Sequence, residues 1–342
     1  MALEKSRLDH ETIRTLLLTN YGIEASVTEK LPLGSANCYK VSATTGTYFL
    51  KEFQNDFPED SLRREAELVN FLKQHDFPTA AVLPMKNGSN YFQHENRLVY
   101  VQEFLEGRTY VNDLPELLLT QSAELLGRLH RLLRGYDLPL EMDGGWLDGY
   151  SAEKAAAQYD GLLTVLEDFR DDPHYKKIRE DLLWKRKFAW KNVDLRRYYE
   201  GITYKPSHGD YTSIQFLCGE DGINAVVDFS RAAVLPAVWE IMRSYVQSCG
   251  SCKGGAAFDT EEFCQYVARY RMFDSLTGTD LAAMPYVYLH QLARSKYGYK
   301  EYLVTKTDDR EHLLDFTIWR TDICREIDRK KEEISAALQK LN

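Results

Sequence analysis

Apolar residues recur at helical spacing near the start of the chain: Asp9 is a capping residue, Ile13, Leu16 and Leu17 follow, and Gly22 lies past the end, so the pattern predicts an amphipathic helix to about Asn20. From Val27 the period shortens. Short β-type runs cover Val27 to Leu33, Cys38 to Thr44, Tyr48 to Phe53 and Ala80 to Met85, and two more flank Glu95-Asn96, with turn signals at Gly34, Thr45-Gly46 and Asn87-Gly88. Connections this short join antiparallel neighbours. One helix, about Glu59 to Gln74, separates the third run from the fourth. After Leu105-Glu106-Gly107-Arg108 the strand signals nearly stop. Pro115 to Arg134 is Leu-rich at helical spacing, and helical patterns fill about Ala152 to Tyr199 and Thr260 to the C-terminus. The exception is Ile214 to Asp228, two β-type runs around Gly219-Glu220-Asp221-Gly222 that read as a hairpin. The expected fold class is α+β, with an N-terminal antiparallel sheet lobe over 1–104 that contains one key helix, a hinge at 105–108, and a larger, mainly helical lobe over 109–342.

Composition agrees with a folded chain. At ~150 residues per domain, 342 residues suit two domains or one domain with two lobes. Hydrophobic residues make up 44% and charged residues 28%, which excludes the disordered and collagenous classes. Lys and Arg number 43 against 52 Asp and Glu, a net charge of −9, so the basic footprint of a nucleic-acid-binding protein is missing. The N-terminal MALEKSRLDHETIR carries charges where a secretory signal needs an apolar run, and no uncharged apolar stretch reaches the ~18 residues of a membrane span. A cytoplasmic protein without a membrane or nucleic-acid partner is expected. The six cysteines are scattered and read as reduced thiols. Cys249 and Cys252 form a close pair, but a tetrahedral zinc needs four ligands and no second pair stands at motif spacing, so two ordinary thiols are expected.

Candidate chemistry begins on the helix after the third strand. Leu62, Glu65, Ala66, Val69 and Leu72 share one face, which sets a carboxylate among apolar positions. A packed carboxylate needs a cation, and Lys51 alternates with Phe49 and Phe53 on the preceding strand. Either the two pair, or both snorkel to solvent at the edge of the core. Leu33-Gly34-Ser35-Ala36-Asn37 lies between two strands, where small residues let backbone amides approach a phosphate, or simply make a hairpin turn. The sharper signal is Ser207-His208-Gly209-Asp210-Tyr211-Thr212-Ser213-Ile214-Gln215, followed by Val227-Asp228-Phe229-Ser230-Arg231-Ala232. Phosphoryl transfer needs one carboxylate to accept the attacking hydroxyl's proton and another to hold magnesium against the nucleotide phosphates. Asp210 and Asp228 fit those jobs, and a turn residue and a cap are the plain alternative. The order of parts favours the first: Gly loop, strand Lys, helix Glu, hinge, Asp loop, hairpin, Asp.

These segments resemble the aminoglycoside phosphotransferase and choline kinase-like superfamily, relatives of protein kinases that phosphorylate small molecules. Its His-Gly-Asp-x4-Asn pattern corresponds to His208-Gly209-Asp210 with Gln215 at the Asn position, and its Ile-Asp-Phe-x-x-Ala pattern to Val227 through Ala232. Leu126-Gly127-Arg128-Leu129-His130 is similar to the family's Leu-His helix, Val101 through Gly107 to its hinge, and Leu276 through Pro285 to the homoserine-kinase-like and spore-coat-like branches. The resemblance implies a two-lobed protein-kinase-like fold that moves the γ-phosphoryl group of ATP, with Mg2+, to a hydroxyl of a small-molecule acceptor: an amino alcohol, a sugar, homoserine or an aminoglycoside. It makes Asp210 the base, Lys51 the contact to the phosphates, Glu65 the residue that orients it, and Asp228 a magnesium ligand. Gly34, Ser35, Ala36 and Asn37 would lie over the phosphates, and the Glu103 carbonyl and Leu105 amide would meet the adenine. Gln215 departs from the pattern by one methylene, which leaves open a catalytically impaired pseudokinase that binds nucleotide or acts as a scaffold.

Three further features are expected to be structural. His130 reads as a satisfied core histidine, and His208 as a support for the loop it precedes. Trp184-Lys185-Arg186-Lys187-Phe188-Ala189-Trp190-Lys191 reads as a solvated helix face with its aromatics packed inward.

Overall fold

The computed structural model describes residues 6–32, 36–138, 151–192 and 195–342. The chain divides into two compact units, 1–109 with 215–231, and 110–214 with 232–342. Residues 215–231, counted above with the helical part, thus group by contact with the sheet.

The first unit opens with α1 (His10–Tyr21), where Asp9 accepts the Thr12 N–H at one end and Gly22, at φ 76°, closes the other. β1 (Ala25–Leu31), β2 (Asn37–Ala43) and β3 (Gly46–Glu52) follow, then α2 (Glu59–Gln74), β4 (Phe92–His94) and β5 (Arg97–Glu103). The strands form one antiparallel sheet in the order β1-β2-β3-β5-β4. Ile13 and Leu17 of α1 enter a core with Tyr39, Val41, Leu50, Val99 and Val101 from the alternating inward positions of β2, β3 and β5. The strand expected over Ala80 to Met85 is a correction: the segment makes one isolated bridge, Val82 to Gln102. Asn70 of α2 takes both backbone groups of Val82 with its side-chain amide, and Pro84 has no N–H to extend a ladder. The expected hairpin is present as β7 (Phe216–Cys218) and β8 (Ile223–Val226).

The second unit contains α3 (Glu116–Leu132), α4 (Ala152–Leu166), α5 (Tyr175–Lys191), β6 (Tyr204–Ser207), β9 (Ala233–Pro236), α6 (Ala237–Ser248), α7 (Gly250–Gly255), α8 (Thr260–Arg271), α9 (Gly278–Arg294) and α10 (Arg310–Gln339). β6 and β9 pair antiparallel, an element absent from the sequence expectation. One of the unit's cores joins α4, α5 and α10 through Tyr159, Leu162, Ile178, Leu182 and Leu314.

The expectation for residues 184–191 is corrected on α5. Lys185 is buried, with its ammonium donating to the carbonyls of Leu292 and Ser295, while Trp190 is exposed. Burial lowers the Lys185 pKa to about 8. Phe188 does pack inward, with Trp184 against it at 5.2 Å. Among the described residues no helix is long and apolar enough to cross a membrane.

Candidate active site

In the first unit the expected face of α2 is buried, Glu65 with it. β3 and β5 set Lys51 opposite Tyr100, and α2 brings Glu65 to both. The Lys51 ammonium is 3.7 Å from Glu65 Oε1, which also accepts the Tyr100 hydroxyl at 3.3 Å. Only 2% of the Glu65 side chain and 13% of the Lys51 side chain are exposed, so the two pair in the interior and do not snorkel. Burial alone would lower the Lys51 pKa, but Glu65, Tyr100 and Asp228 outweigh it and hold the ammonium well above its ordinary range. Burial pushes the Glu65 carboxyl up despite Lys51.

Lys51 also reaches Asp228 Oδ1 at 3.3 Å. Asp228 follows β8 with φ 63°, a left-handed backbone that a non-glycine residue adopts at a cost of about 1 kcal/mol or more. The Ser230 hydroxyl donates to Oδ1 at 2.8 Å, and 43% of the side chain remains exposed. The Gln215 carbonyl accepts the Val227 N–H at 2.9 Å, which ties the Gln215 backbone to the residue before Asp228. A carboxylate and an amide oxygen are the hard donors that magnesium prefers, so the residues present fit such an ion.

The other nucleotide candidates fall as follows. Gly34 and Ser35 lie outside the described residues. Ala36 and Asn37 are buried, and the Asn37 amide donates to Glu52, which also pairs with Arg97. Glu103 ends β5 and turns its carboxylate to Lys73 and to the Ala81 N–H. Among the described residues the Leu105 N–H has no hydrogen-bond partner. Two residues on, a Cβ on Gly107 would stand 2.9 Å from the Leu217 side chain and 3.0 Å from its backbone, so only glycine fits where this segment crosses β7. Arg108 then exchanges both backbone hydrogen bonds with Cys218.

In the second unit Asp210 follows β6. His208 and Gly209, just before it, are held by Glu240 of α6, which accepts the His208 N–H at 3.1 Å, the Gly209 N–H at 2.5 Å and His130 Nε2 at 2.9 Å. Since an ionised carboxylate only accepts, His130 carries its proton on Nε2 and takes the Tyr270 hydroxyl at Nδ1, 2.8 Å away. Tyr270 is in turn met by the Lys205 ammonium at 3.0 Å. Burial would raise the Glu240 pKa, but the His130 hydrogen bond and the Gly209 amide keep it below the ordinary carboxylate value. His130 is therefore a satisfied core histidine, as expected. His208 supports its loop, its Nδ1 accepting the Asp210 N–H at 3.3 Å. The Asp210 carboxylate is paired with Arg243 of α6, one turn beyond Glu240. Glu240, Arg243 and Tyr100 were missed in the sequence. Cys249 and Cys252 are both buried and reduced, and a hydrogen bond from Cys252 lowers the Cys249 pKa to about 5.

The pattern of these residues has a counterpart among known proteins. The model of the APH phosphotransferase enzyme family matches residues 28–284, three quarters of the chain, so the chain belongs to that family and is a phosphotransferase of the small-molecule kinase class. Solved structures share its fold. An amicoumacin kinase in complex with AMP-PNP and Ca2+ is 15% identical, with a TM-score of 0.63 over 94% of both chains. A spectinomycin phosphotransferase in complex with ADP and spectinomycin is 14% identical, with a TM-score of 0.62 over 96% of this chain and 100% of that one. A microcompartment-associated aminopropanol kinase is 16% identical, with a TM-score of 0.62 over 96% and 99%. No curated protein matches the sequence.

Proposed function

We propose that the chain transfers the γ-phosphoryl group of ATP to a hydroxyl of a small molecule. The observation that carries the proposal is the interior Lys51–Glu65 pair, whose ammonium also meets an aspartate held in the left-handed backbone. A cation fixed in this way places positive charge where nucleotide phosphates would bind, and phosphoryl transfer depends mostly on such positioning and neutralisation. The Leu105 amide and Glu103 carbonyl would take the adenine edge. Asp228 and Gln215 would hold Mg2+, which supplies charge neutralisation at the phosphates. Asp210 would accept the acceptor's proton as the new O–P bond forms, and the bond from γ-phosphorus to the β,γ-bridging oxygen breaks to release ADP. Arg243, paired with the Asp210 carboxylate, would orient it.

The competing reading is a pseudokinase, on the strength of Gln215. Calorimetric titration of the purified chain with ATP, with and without Mg2+, separates the two. Magnesium-enhanced binding supports the enzyme, and indifference to magnesium supports the pseudokinase. Asp210→Asn should abolish turnover and spare nucleotide binding, whereas Asp228→Asn, which keeps a residue tolerant of the left-handed backbone, should remove the magnesium dependence. Full activity in either variant would overturn its assigned role.

A further inference from the structure

A group of cations gathers in the second unit beside the residue that holds Asp210. Phe316, Trp319 and Arg320 lie on one face of α10 at helical spacing, all half-buried. The Arg320 guanidinium stands 5.5 Å from the Phe316 ring centre. Lys253 of α7 places its ammonium 4.1 Å from the Trp319 ring and 5.6 Å from that of Phe316. The Trp319 indole N–H donates to the Cys252 carbonyl at 2.6 Å, which fastens this aromatic floor to α7. Arg243, besides pairing with Asp210, lies 5.4 Å from the Trp239 ring, and its Nε is buried without a hydrogen-bond partner among the described residues.

Lys253 and Arg320 each feel Arg243. Burial lowers the Lys253 pKa and Arg243 lowers it further. Arg320 is likewise lowered, first by burial, with Arg243 among the groups that add to the effect and the Tyr288 hydroxyl opposing it. Among the described residues neither the Lys253 nor the Arg320 side chain has a carboxylate or any other hydrogen-bond partner, and Asp210, on Arg243, is the acid of this group. The chain carries 52 acidic residues, so carboxylates are not scarce. Half-buried like charges without a counter-charge are costly, and they mark a place where a ligand supplies the missing sign.

We propose that the acceptor is an anionic hydroxyl compound whose carboxylate or phosphate is bound by Arg320 and Lys253 over the Phe316–Trp319 floor. The inference rests on the kinase reading and narrows its substrate class. A guanidinium fork suits both anions through paired N–H···O bonds. A cationic amine would add to the repulsion already present, so amino alcohols and aminoglycosides are disfavoured.

The test is calorimetry on the full chain at saturating ADP, with inorganic phosphate and glycerate as anionic probes and glycerol and ethanolamine as neutral and cationic controls. At least one anionic probe should bind ~10-fold or more tightly than both controls, which corresponds to about 1.4 kcal/mol. The preferred probe distinguishes a phosphate-bearing from a carboxylate-bearing acceptor. Arg320→Gln and Lys253→Gln should each remove most of that preference, and Arg320→Lys, which keeps the charge, should retain part of it. The proposal is overturned if neither anion outbinds the controls, or if the preference survives in the Arg320→Gln, Lys253→Gln double variant. Nucleotide binding by the unmodified chain is measured separately. If Mg-ATP does not bind while anion binding still depends on Arg320 and Lys253, the kinase reading falls and the anion site stands. If ATP is turned over with amines and anions do not bind, the reverse holds.

Discussion

Replacing Glu240 should damage the second unit more than any comparable surface carboxylate. Its side chain is fully buried and accepts from two backbone N–H groups and one imidazole. Truncation to alanine strands those three donors, and at about 1–3 kcal/mol for each unsatisfied buried group the sum is about 3–9 kcal/mol. Water entering the vacated volume recovers part of it, so a loss of about 4 kcal/mol is expected, near the top of the range for point substitutions and a large share of a typical domain's 5–15 kcal/mol. Glu240→Gln keeps an acceptor oxygen for the His208 N–H and His130 but turns its NH2 toward the Gly209 N–H, and should lose about half as much. Urea unfolding followed by tryptophan fluorescence is the suitable assay, because all five tryptophans fall within the sequence ranges of the second unit. Acidity supplies a second readout. The folded pKa of Glu240 lies below its ordinary 4.5, so its contribution is complete above about that pH and disappears as pH falls through the folded value. The stability gap between wild type and Glu240→Gln should therefore narrow below pH 4.5. A Glu240→Ala protein that unfolds within about 0.5 kcal/mol of wild type, the usual size of a surface substitution, would refute the reasoning.

Three further outcomes are expected. Lys51→Met leaves Glu65 buried without its cation and should lower stability by about 3 kcal/mol, with turnover falling to background and the deficit shrinking in acid as Glu65 takes a proton; an unchanged urea midpoint at pH 7 would contradict an interior pair. Gln215→Asn restores the family's shorter side chain and should reduce the Mg2+ concentration needed for half-maximal nucleotide binding, and an unchanged magnesium titration would remove Gln215 from the metal site. Gly107→Ala drives a methyl into the Leu217 backbone and should reduce stability by about 1–3 kcal/mol; a neutral effect would show that the segment is free to move off β7.

Which parts of this site can be read from the sequence depends on how far apart in the chain its contacts lie. Glu65 was visible because one helix turn supplies its apolar neighbours, and an acid among them demands a cation that the preceding strand provides. Asp210 and Asp228 were visible because short loops fix their spacing. Glu240 and Arg243 were not: each meets its partner across more than 30 residues, and Trp239-Glu240-Ile241-Met242-Arg243 carries no local mark that an acid faces inward. The β6–β9 pair has the same cause, with four-residue strands holding Pro206 and Pro236 and a ladder closed only by the whole Asp loop and hairpin between them. Lys185 shows the opposite failure. A run of basic residues reads as solvated, yet one of its lysines is the residue whose ammonium reaches the carbonyls at the end of α9, and only packing shows that those carbonyls are there. The cation group around Arg320 follows the same logic, since α6, α7 and α10 each bring one charge that is unremarkable on its own helix. What makes it a candidate site is the convergence of three cations on a single acid among the described residues, Asp210 on Arg243, and convergence is a property of the fold.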